Sequence, residues 1–321
     1  MPPGKFDMPT VLVTGGFGFV GGRVAVHLAQ AGYQVILGSR NAVTPPEWLP
    51  QAKVVQMLWD DVATLEKCCT GVDIVIHAAG MNAQDCVADP VAALAFNGVA
   101  TARLVRVAHY AGVKRFIYLS TAHVYASPLI GTITEEHCPR NLHPYATSHL
   151  AGEQAILREG ERGGIIPLVL RLSNVIGAPT YKDVNCWMLL ANDLSRQAVE
   201  QKKLILHSNG NQRRDFVTMT EICQTITQLI EIDHKALTSN IFNAGSGVST
   251  SLLDITSIIQ KSCDEVLGYK PEIVMQAKQH SVPLLTYQTE QLENHGIKIN
   301  QNLTNEINNM LLFCKREFGS H

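Results

Sequence analysis

The sequence predicts an α/β fold, with a doubly wound parallel sheet followed by a smaller α+β C-terminal lobe. Short runs rich in valine and isoleucine alternate with stretches of helical periodicity in the first half of the chain. Such alternation is typical of parallel strands joined by right-handed helical crossovers. After about Asn174 the loops lengthen and asparagine and glutamine become frequent. We therefore predict two domains, at 8–175 and 176–321, with some segments of the second returning to the sheet.

Each strand of the sheet is predicted from a short apolar run, and each helix from apolar residues at a spacing of three or four. The strands are predicted at 10–14, 34–37, 53–57, 73–79, 115–120 and 165–172. The helices are predicted at 21–31, 61–69, 90–111, 144–158, 187–199, 220–231 and 252–266. Gly32 and Gly112 directly follow two of these helices, where glycine commonly ends a helix.

The composition excludes several classes of protein. The 321 residues are 46% hydrophobic and 17% charged, which is typical of a globular chain. The formal net charge of -2 argues against a general surface for nucleic acid or for anionic membranes. We found neither a secretory signal pattern nor an apolar run near the roughly 18 residues that span a bilayer. The eight cysteines form no CxxC pair, so we predict free thiols, no metal site and a cytoplasmic location.

A glycine-rich turn between the first strand and the first helix is the strongest motif. Gly16, Gly18 and Gly21 satisfy the pattern GxGxxG. These glycines permit a tight turn, close approach of the backbone to a pyrophosphate, and close packing of helix on strand. The helix N-terminus would then bind the phosphates of a dinucleotide. The residues predicted to form this loop are Gly15, Gly16, Phe17, Gly18, Phe19, Val20 and Gly21.

The end of the second strand predicts which dinucleotide is bound. An acidic residue about 20 residues after the glycine motif reads the ribose of NAD, but this chain has Gly38-Ser39-Arg40 there. Arg40 can pair with a 2′-phosphate and Ser39 can donate a hydrogen bond, so NADP is favoured over NAD. Asp60 is a candidate contact for the adenine ring. The alternative for the pair Asp60-Asp61 is that it caps the helix at 61–69.

Further blocks of sequence resemble the extended short-chain dehydrogenase/reductases, the NAD(P)-dependent epimerase/dehydratase group that acts on nucleotide sugars. The resemblance covers about 1–250 and implies a Rossmann sheet. The blocks that carry it beyond the glycine loop are 73–80 (DIVIHAAG), Asn97 in FNGVAT, 119–125 (LSTAHVY), Pro144-Tyr145, 171–177 (RLSNVIG) and 214–217 (RDFV).

The resemblance implies roles for individual residues. Thr121 takes the place of the hydroxyl residue that binds the reacting sugar oxygen, and Tyr145 that of the general acid/base. Besides the glycine loop, Tyr145 and His149, the residues implied to line the cofactor are His77, Ala78, Ala79, Gly80 and Asn97. Those implied to bind substrate besides Thr121 are Asn174, Asn185 and Arg214. A guanidinium binds phosphate bidentately, although Arg214 has an alternative role as an ion-pair partner of Asp215.

One departure from the family lies on the helix of Tyr145. The family has YxxxK, and this chain has Tyr145-Ala146-Thr147-Ser148-His149. Positions four apart share a helical face, and the family's lysine binds the nicotinamide ribose and lowers the pKa of the tyrosine. Histidine, with an ordinary pKa of about 6.5, is expected to be partly charged at pH 7 and to be a weaker, pH-dependent activator. Three alternatives stay open: His149 substitutes for the lysine, another cation or a water does, or catalysis is lost.

A second departure follows Thr121. Sugar 4,6-dehydratases have an Asp-Glu pair there, and this chain has Ala122-His123, which disfavours elimination of water. The resemblance therefore implies an NAD(P)-dependent epimerase or reductase that acts on a secondary alcohol or ketone, at C4 of a nucleotide sugar, and forms a homodimer. The alternatives are a catalytically impaired dinucleotide-binding protein and the same chemistry on a natural-product ketone that is not a sugar.

Overall fold

The computed structural model describes residues 8–275, 284–300 and 302–319. In these ranges the strands are β1 (Thr10–Thr14), β2 (Gln34–Ser39), β3 (Lys53–Gln56), β4 (Ile74–His77), β5 (Arg115–Thr121), β6 (Gly131–Ile133), β7 (Ile166–Leu172), β8 (Asn174–Ile176), β9 (Lys203–Leu206), β10 (Arg213–Thr218), β11 (Ile241–Ala244), β12 (Ser249–Ser251), β13 (Glu272–Met275) and β14 (Leu285–Tyr287). The helices are α1 (Phe19–Gln30), α2 (Val62–Cys69), α3 (Ala83–Ala88), α4 (Pro90–Ala93), α5 (Thr101–Tyr110), α6 (Pro144–Gly160), α7 (Leu190–Gln201), α8 (Met219–Glu231), α9 (Leu252–Leu267), α10 (Glu290–Asn294) and α11 (Leu303–Phe318). A π-helical stretch, Leu94–Ala100, joins α4 to α5, and short 3₁₀ turns lie at Ala122–Val124 and His234–Ala236.

The largest sheet has seven strands in the order β3-β2-β1-β4-β5-β7-β11. Strand β1 is parallel to both β2 and β4, and β2–β3 and β4–β5 are parallel pairs as well. The strand order therefore reverses between β1 and β4, the place where open α/β sheets bind ligands beyond the carboxyl ends of the strands. The prediction of a doubly wound parallel sheet is confirmed.

The core of this sheet follows from the predicted periodicity. On α5 the buried residues Thr101, Leu104, Val105 and Ala108 recur at spacings of three and four, which is one face of a helix. Leu104 and Val105 pack in one apolar cluster with strand residues such as Phe116. Strand β5 is buried along its whole length and carries the apolar and aromatic run 116–119 at its centre, as expected for a central parallel strand.

The ends of the predicted helices move by at most two residues, apart from the start of 187–199, which moves by three. Helix α1 begins at Phe19 rather than residue 21. The Asp61 side chain accepts a hydrogen bond from the Thr64 N–H at 3.2 Å, so its role as the cap of α2 is confirmed. The helix predicted from 187 begins only at Leu190, since 187–189 form a turn.

The chain folds into two compact units. The first contains 1–124, 141–170 and 226–241, and the second contains 125–140, 171–225 and 242–321. The chain therefore passes between the units several times, and 226–241 returns to the first unit. That the two units divide cofactor binding from substrate binding stays a prediction.

The second unit has a three-stranded sheet in the order β12-β10-β8, with two further strand pairs, β13–β9 and β14–β6. Its core contains apolar residues of α7, α9 and α11, among them Leu194, Ile259 and Met310. Helix α11 was not predicted from the sequence, although its buried residues Ile307, Met310, Leu311 and Cys314 recur at helical spacing.

One continuous helical stretch, Pro90–Tyr110, is long and apolar enough to cross a membrane by length and mean hydropathy, although it contains no uninterrupted apolar run of 18 residues. Polar and charged residues, among them Asn97 and Arg103, interrupt its apolar residues. About half of the most apolar window is buried inside the protein. A core helix of a soluble protein passes the same test, so this single helix is weak evidence for a membrane span.

Candidate dinucleotide and catalytic site

The glycine loop leaves no room for side chains at its key positions. Gly15 has a φ of +64°, and a Cβ there would lie 2.8 Å from the Ala79 nitrogen. A Cβ on Gly21 would lie 2.3 Å from the Gly15 carbonyl oxygen, and one on Gly16 would lie 2.8 Å from Leu37. The loop is closed by a hydrogen bond from the Gly18 N–H to the Gly15 carbonyl oxygen at 2.8 Å. Glycine is therefore required here by the close approach of three backbone segments.

The start of α1 meets the requirements of a phosphate site. No side chain of the described residues caps its N-terminus at Gly18, and the first turn holds no acidic residue. Uncapped amide groups and the helix dipole favour an anion at this position. The Phe17 ring packs edge-on against Trp48, with ring centroids 5.9 Å apart. The loop, the helix start and the adjoining Ala78-Ala79 backbone together fit a dinucleotide.

The predicted nucleotide-selecting residues lie at the end of β2, whose Gly38 pairs with Thr14 of β1. The Ser39 hydroxyl accepts a hydrogen bond from the Asn41 N–H at 3.1 Å. Arg40 is exposed, and its guanidinium has no hydrogen-bond or ion-pair partner among the residues that the structure describes. Asp60 pairs with Arg103 at 2.9 Å on the surface, and its carboxylate remains almost fully exposed.

The side chain of His77 points into the core. Its Nδ1 lies 2.6 Å from the Thr14 hydroxyl and its Nε2 lies 2.8 Å from the Thr101 hydroxyl. Burial lowers the pKa of His77 to about 3, so the ring is neutral. Both ring nitrogens are therefore engaged, and only the backbone of His77 remains free to contact a ligand.

Asn97 and Gly80 lie beside His149. The Asn97 Oδ1 accepts a hydrogen bond from the Met81 N–H at 2.8 Å, and its Nδ2 donates to Ser148 at 3.0 Å. A Cβ on Gly80 would lie 3.5 Å from the Asn97 Oδ1 and 3.6 Å from the His149 Cε1. Asn97 therefore connects the loop after β4 to α6, which places Gly80 against the face of α6 that carries His149.

Thr121 and Tyr145 are brought together as the resemblance implied. The Thr121 side chain lies close enough to the Tyr145 phenol to favour its ionised form. Burial raises the pKa of Tyr145 to about 12, and the neighbouring Thr121 side chain offsets only part of that rise. No cationic side chain of the described residues contributes to lowering this pKa. Tyr145 is therefore protonated at neutral pH.

His149 lies beside Tyr145, with ring centroids 4.5 Å apart in an edge-on arrangement. Its Nδ1 lies 2.9 Å from the Tyr118 hydroxyl. Burial lowers the pKa of His149 to about 4. The expectation of a partly charged histidine at pH 7 is therefore wrong, because a buried imidazole with no carboxylate bonded to it is more stable without its proton.

Two polar residues next to this site were missed in the sequence. Tyr118 lies in a strand that was interpreted only as an apolar run, although a buried tyrosine hydroxyl needs a hydrogen-bond partner. Glu153 lies four residues beyond His149 on α6 and is fully buried, and its carboxylate accepts a hydrogen bond from Ser120. Tyr145, His149 and Glu153 are spaced at i, i+4 and i+8, which places all three on one helical face. This spacing is the sequence signal by which Glu153 could have been found.

Two of the predicted substrate residues lie on neighbouring strands of the second unit. Asn174, on β8, pairs in register with Phe216 of β10, and its side-chain amide donates to the Asp215 carbonyl oxygen at 2.8 Å. Arg214 donates to the Gln212 side chain at 3.1 Å, and burial lowers the pKa of its guanidinium. Asn185 is exposed in a segment outside the helices and strands. Their contacts with substrate stay predictions.

A model of the NAD dependent epimerase/dehydratase family matches residues 11–245. The chain belongs to this family. The match includes the glycine loop, Thr121, Tyr145, His149 and Arg214. The family resemblance drawn from the sequence is confirmed, and the chain is an enzyme of the NAD(P)-dependent epimerase and oxidoreductase type.

Individual proteins of this kind align with most of the chain. It is 26% identical over 287 residues to a UDP-glucose 4-epimerase of Haemophilus influenzae, covering 81% of this chain and 84% of the relative. It is 28% identical over 272 residues to a dTDP-D-glucose 4,6-dehydratase of Mus musculus, covering 79% of this chain and 72% of that one. The solved UDP-glucose 4-epimerase of Bifidobacterium longum, in complex with NAD+ and UDP, has a TM-score of 0.76 at 23% identity and covers 96% of this chain and 98% of that one.

Proposed function

We propose that this enzyme oxidises or reduces a secondary alcohol or ketone at C4 of a nucleotide sugar, as an epimerase or a reductase. The observation that carries the proposal is that Thr121, Tyr145 and His149 lie together, in the same unit as the glycine loop. Relatives named for UDP-glucose and dTDP-glucose chemistry support a nucleotide sugar as substrate.

The chain's own residues would divide the chemistry between them. A nicotinamide dinucleotide, held by the glycine loop, would supply the hydride chemistry at the substrate carbon. Tyr145 moves the proton of the substrate oxygen, and Thr121 orients that oxygen. Because Tyr145 is protonated at neutral pH, it is set to donate a proton to a carbonyl oxygen, which suits the reduction step. Asn174 and Arg214 would bind the substrate phosphates.

Elimination of water is not part of this proposal, although dehydratases occur among the relatives. The 3₁₀ turn Ala122–Val124 directly follows Thr121, with Ala122 buried and His123 exposed. Neither residue supplies the carboxylate that would take or give a proton during elimination.

A panel of nucleotide sugars incubated with the protein and either NAD or NADP tests the proposal. Product analysis by NMR should show inversion or reduction at C4 of at least one sugar. A matching change in reduced-nicotinamide absorbance identifies a reductase, and turnover without it identifies an epimerase. Binding of the dinucleotide without turnover of any sugar would contradict the proposal and favour an impaired binding protein. Turnover only of ketones that carry no nucleotide, with an unchanged KM in Arg214→Ala, would point to a non-sugar substrate.

NADP is our proposed dinucleotide, with Arg40 pairing with the 2′-phosphate and Ser39 close by. The support is the exposed, unpartnered guanidinium at the end of β2, while solved neighbours were determined with NAD. Calorimetry with both dinucleotides tests this preference. Arg40→Ala should weaken NADP about tenfold and leave NAD unchanged, since a charge-assisted hydrogen bond contributes about 1.5–3 kcal/mol when fully formed. Equal losses for both dinucleotides would contradict the assignment.

We further infer a homodimer and a cytoplasmic location. The apolar side chains Val91, Leu94 and Val99 are 80%, 50% and 53% exposed along the stretch Pro90–Tyr110, and a second copy of the chain would cover them. All eight cysteines are free thiols and seven are buried, which suits a reducing compartment. Light scattering should give twice the chain mass, and Val99→Lys should give a monomer. A wild-type monomer at micromolar concentration would refute the dimer.

A further inference from the structure

Tyr118 and His149 form a buried pair for which the family's YxxxK pattern has no counterpart. The Tyr118 hydroxyl lies 2.9 Å from the His149 Nδ1, and the two side chains are 1% and 6% exposed. In the described part of the chain this is the sole hydrogen bond of either side chain. The pair connects the central strand β5 with the helix that carries Tyr145.

The direction of this hydrogen bond follows from the chemistry of the two groups. Burial raises the pKa of Tyr118 well above its ordinary value, so the phenol keeps its proton. A buried hydroxyl must donate that proton to an acceptor, and the acceptor within reach is the His149 Nδ1. A neutral imidazole that accepts at one nitrogen carries its own proton on the other. The proton of His149 therefore lies on Nε2.

Nε2 lies on the side of the ring that faces the loop after β4. A Cβ built on Gly80 would lie 3.7 Å from it, and Gly80 follows β4 at the edge of the sheet where the glycine loop also lies. Among the described residues Nε2 has no hydrogen-bond partner. The protein does not fully enclose this atom, so a ligand can reach it. It is therefore a donor that still needs an acceptor.

We propose that Tyr118 is a positioning residue that fixes His149 as a neutral Nε2–H donor for the nicotinamide ribose, where the family has an ammonium group. The inference rests on the proposed function only for the identity of that acceptor. Of the three alternatives for His149, the proposal selects the first, but only in part. The histidine substitutes for the lysine in binding the ribose, and it does not supply positive charge to Tyr145.

The surroundings of the pair keep His149 neutral across the physiological range. Burial lowers its pKa to about 4, and no neighbouring charge offsets that shift. His77 is neutral because both of its nitrogens are buried between hydroxyl groups. The titratable side chains that surround the pair are Tyr145 and Glu153 from α6, His77 from β4, and Cys86 from α3.

The test uses the full chain with ¹⁵N-labelled histidine, and His149 is assigned by its loss in His149→Gln. Ring nitrogen shifts of the wild type should show the Nε2–H tautomer, without titration, from pH 5.5 to 8. In Tyr118→Phe the ring should become a mixture of tautomers, and the Kd for NADP should rise about tenfold. The matched control is Tyr33→Phe, which removes another buried hydroxyl of the same unit, bonded to Glu231 at 3.3 Å, and should change neither readout.

Further measurements test the proposal for Tyr118 and His149 independently of which substrate the enzyme turns over. In a His149→Gln background, Tyr118→Phe should cause no additional loss of NADP affinity. A proton on Nδ1 in the wild type overturns the proposal, and this measurement needs no variant that has to fold. An unchanged tautomer and an unchanged Kd in folded Tyr118→Phe overturn it as well. If no nucleotide sugar is turned over while these spectra and affinities behave as expected, the proposed function fails and the pair stands.

Discussion

The glycine loop and the face of α6 that carries Tyr145 lie in the same compact unit, yet they follow the family pattern to different degrees. The loop keeps every glycine of GxGxxG, because the Gly15 carbonyl lies where a side chain on Gly21 would be. On α6 the cation four residues after Tyr145 is replaced by a buried, neutral histidine. The comparison teaches that a backbone constraint tolerates little change, whereas the side chain and the charge at a position on a helix face can change without altering the helix.

The largest effect is expected on the α6 side of the comparison. Tyr145→Phe should lower kcat about 10²–10⁴-fold, since positioned proton transfer contributes about that factor, and should leave the Kd for the dinucleotide nearly unchanged. Steady-state kinetics and calorimetry measure the two quantities. Thr147→Ala is the matched control, because Thr147 is exposed on the same helix and bonds only to backbone carbonyls. A kcat within threefold of wild type would remove Tyr145 from the chemistry.

On the loop side, Gly21→Ala should disrupt the cofactor site rather than the chemistry. The added methyl would lie 2.3 Å from the Gly15 carbonyl oxygen, so the loop must move, at about 1–3 kcal/mol of stability. We expect a raised Kd for the dinucleotide and a lower Tm. Gly18→Ala provides a graded control, since its Cβ would be 3.1 Å from that same oxygen and its loss should be smaller. Equal losses for the two variants would show that crowding is not the cause.

The smallest effect concerns pH and separates a neutral from a charged His149. Its folded pKa of about 4 lies below the unfolded value of about 6.5. The unfolded chain therefore binds a proton before the folded chain does, and the stability of the folded state falls as the pH drops from about 6.5 toward 4.

Between pH 7 and pH 5 the histidine should account for about 2 kcal/mol of this loss. His149→Gln should lose correspondingly less stability than the wild type over that interval, as measured by denaturant unfolding at each pH. An identical pH dependence in the two proteins would mean that His149 is not buried in its neutral form.

Rules that relate neighbouring residues in the sequence were sufficient to predict the features that depend on backbone geometry. The order of strands and helices in the first half, the glycine loop and the cap at Asp61 were predicted, because periodicity and turn chemistry act between near neighbours in the chain. The helix Leu303–Phe318 was missed because its burial depends on packing against α7 and α9, which lie far away in the sequence.

The sequence by itself determined the sheet, the family and the identities of Thr121, Tyr145 and His149, since these follow from patterns over short stretches of chain. Only the tertiary structure decided the charge of His149 and its contact with Tyr118. Residues 118 and 149 lie on a strand and a helix that meet only in the folded unit, and the low polarity of that buried setting favours the uncharged ring. Protonation depends on surroundings assembled from distant segments, and for that reason the letters YxxxH alone gave the wrong charge.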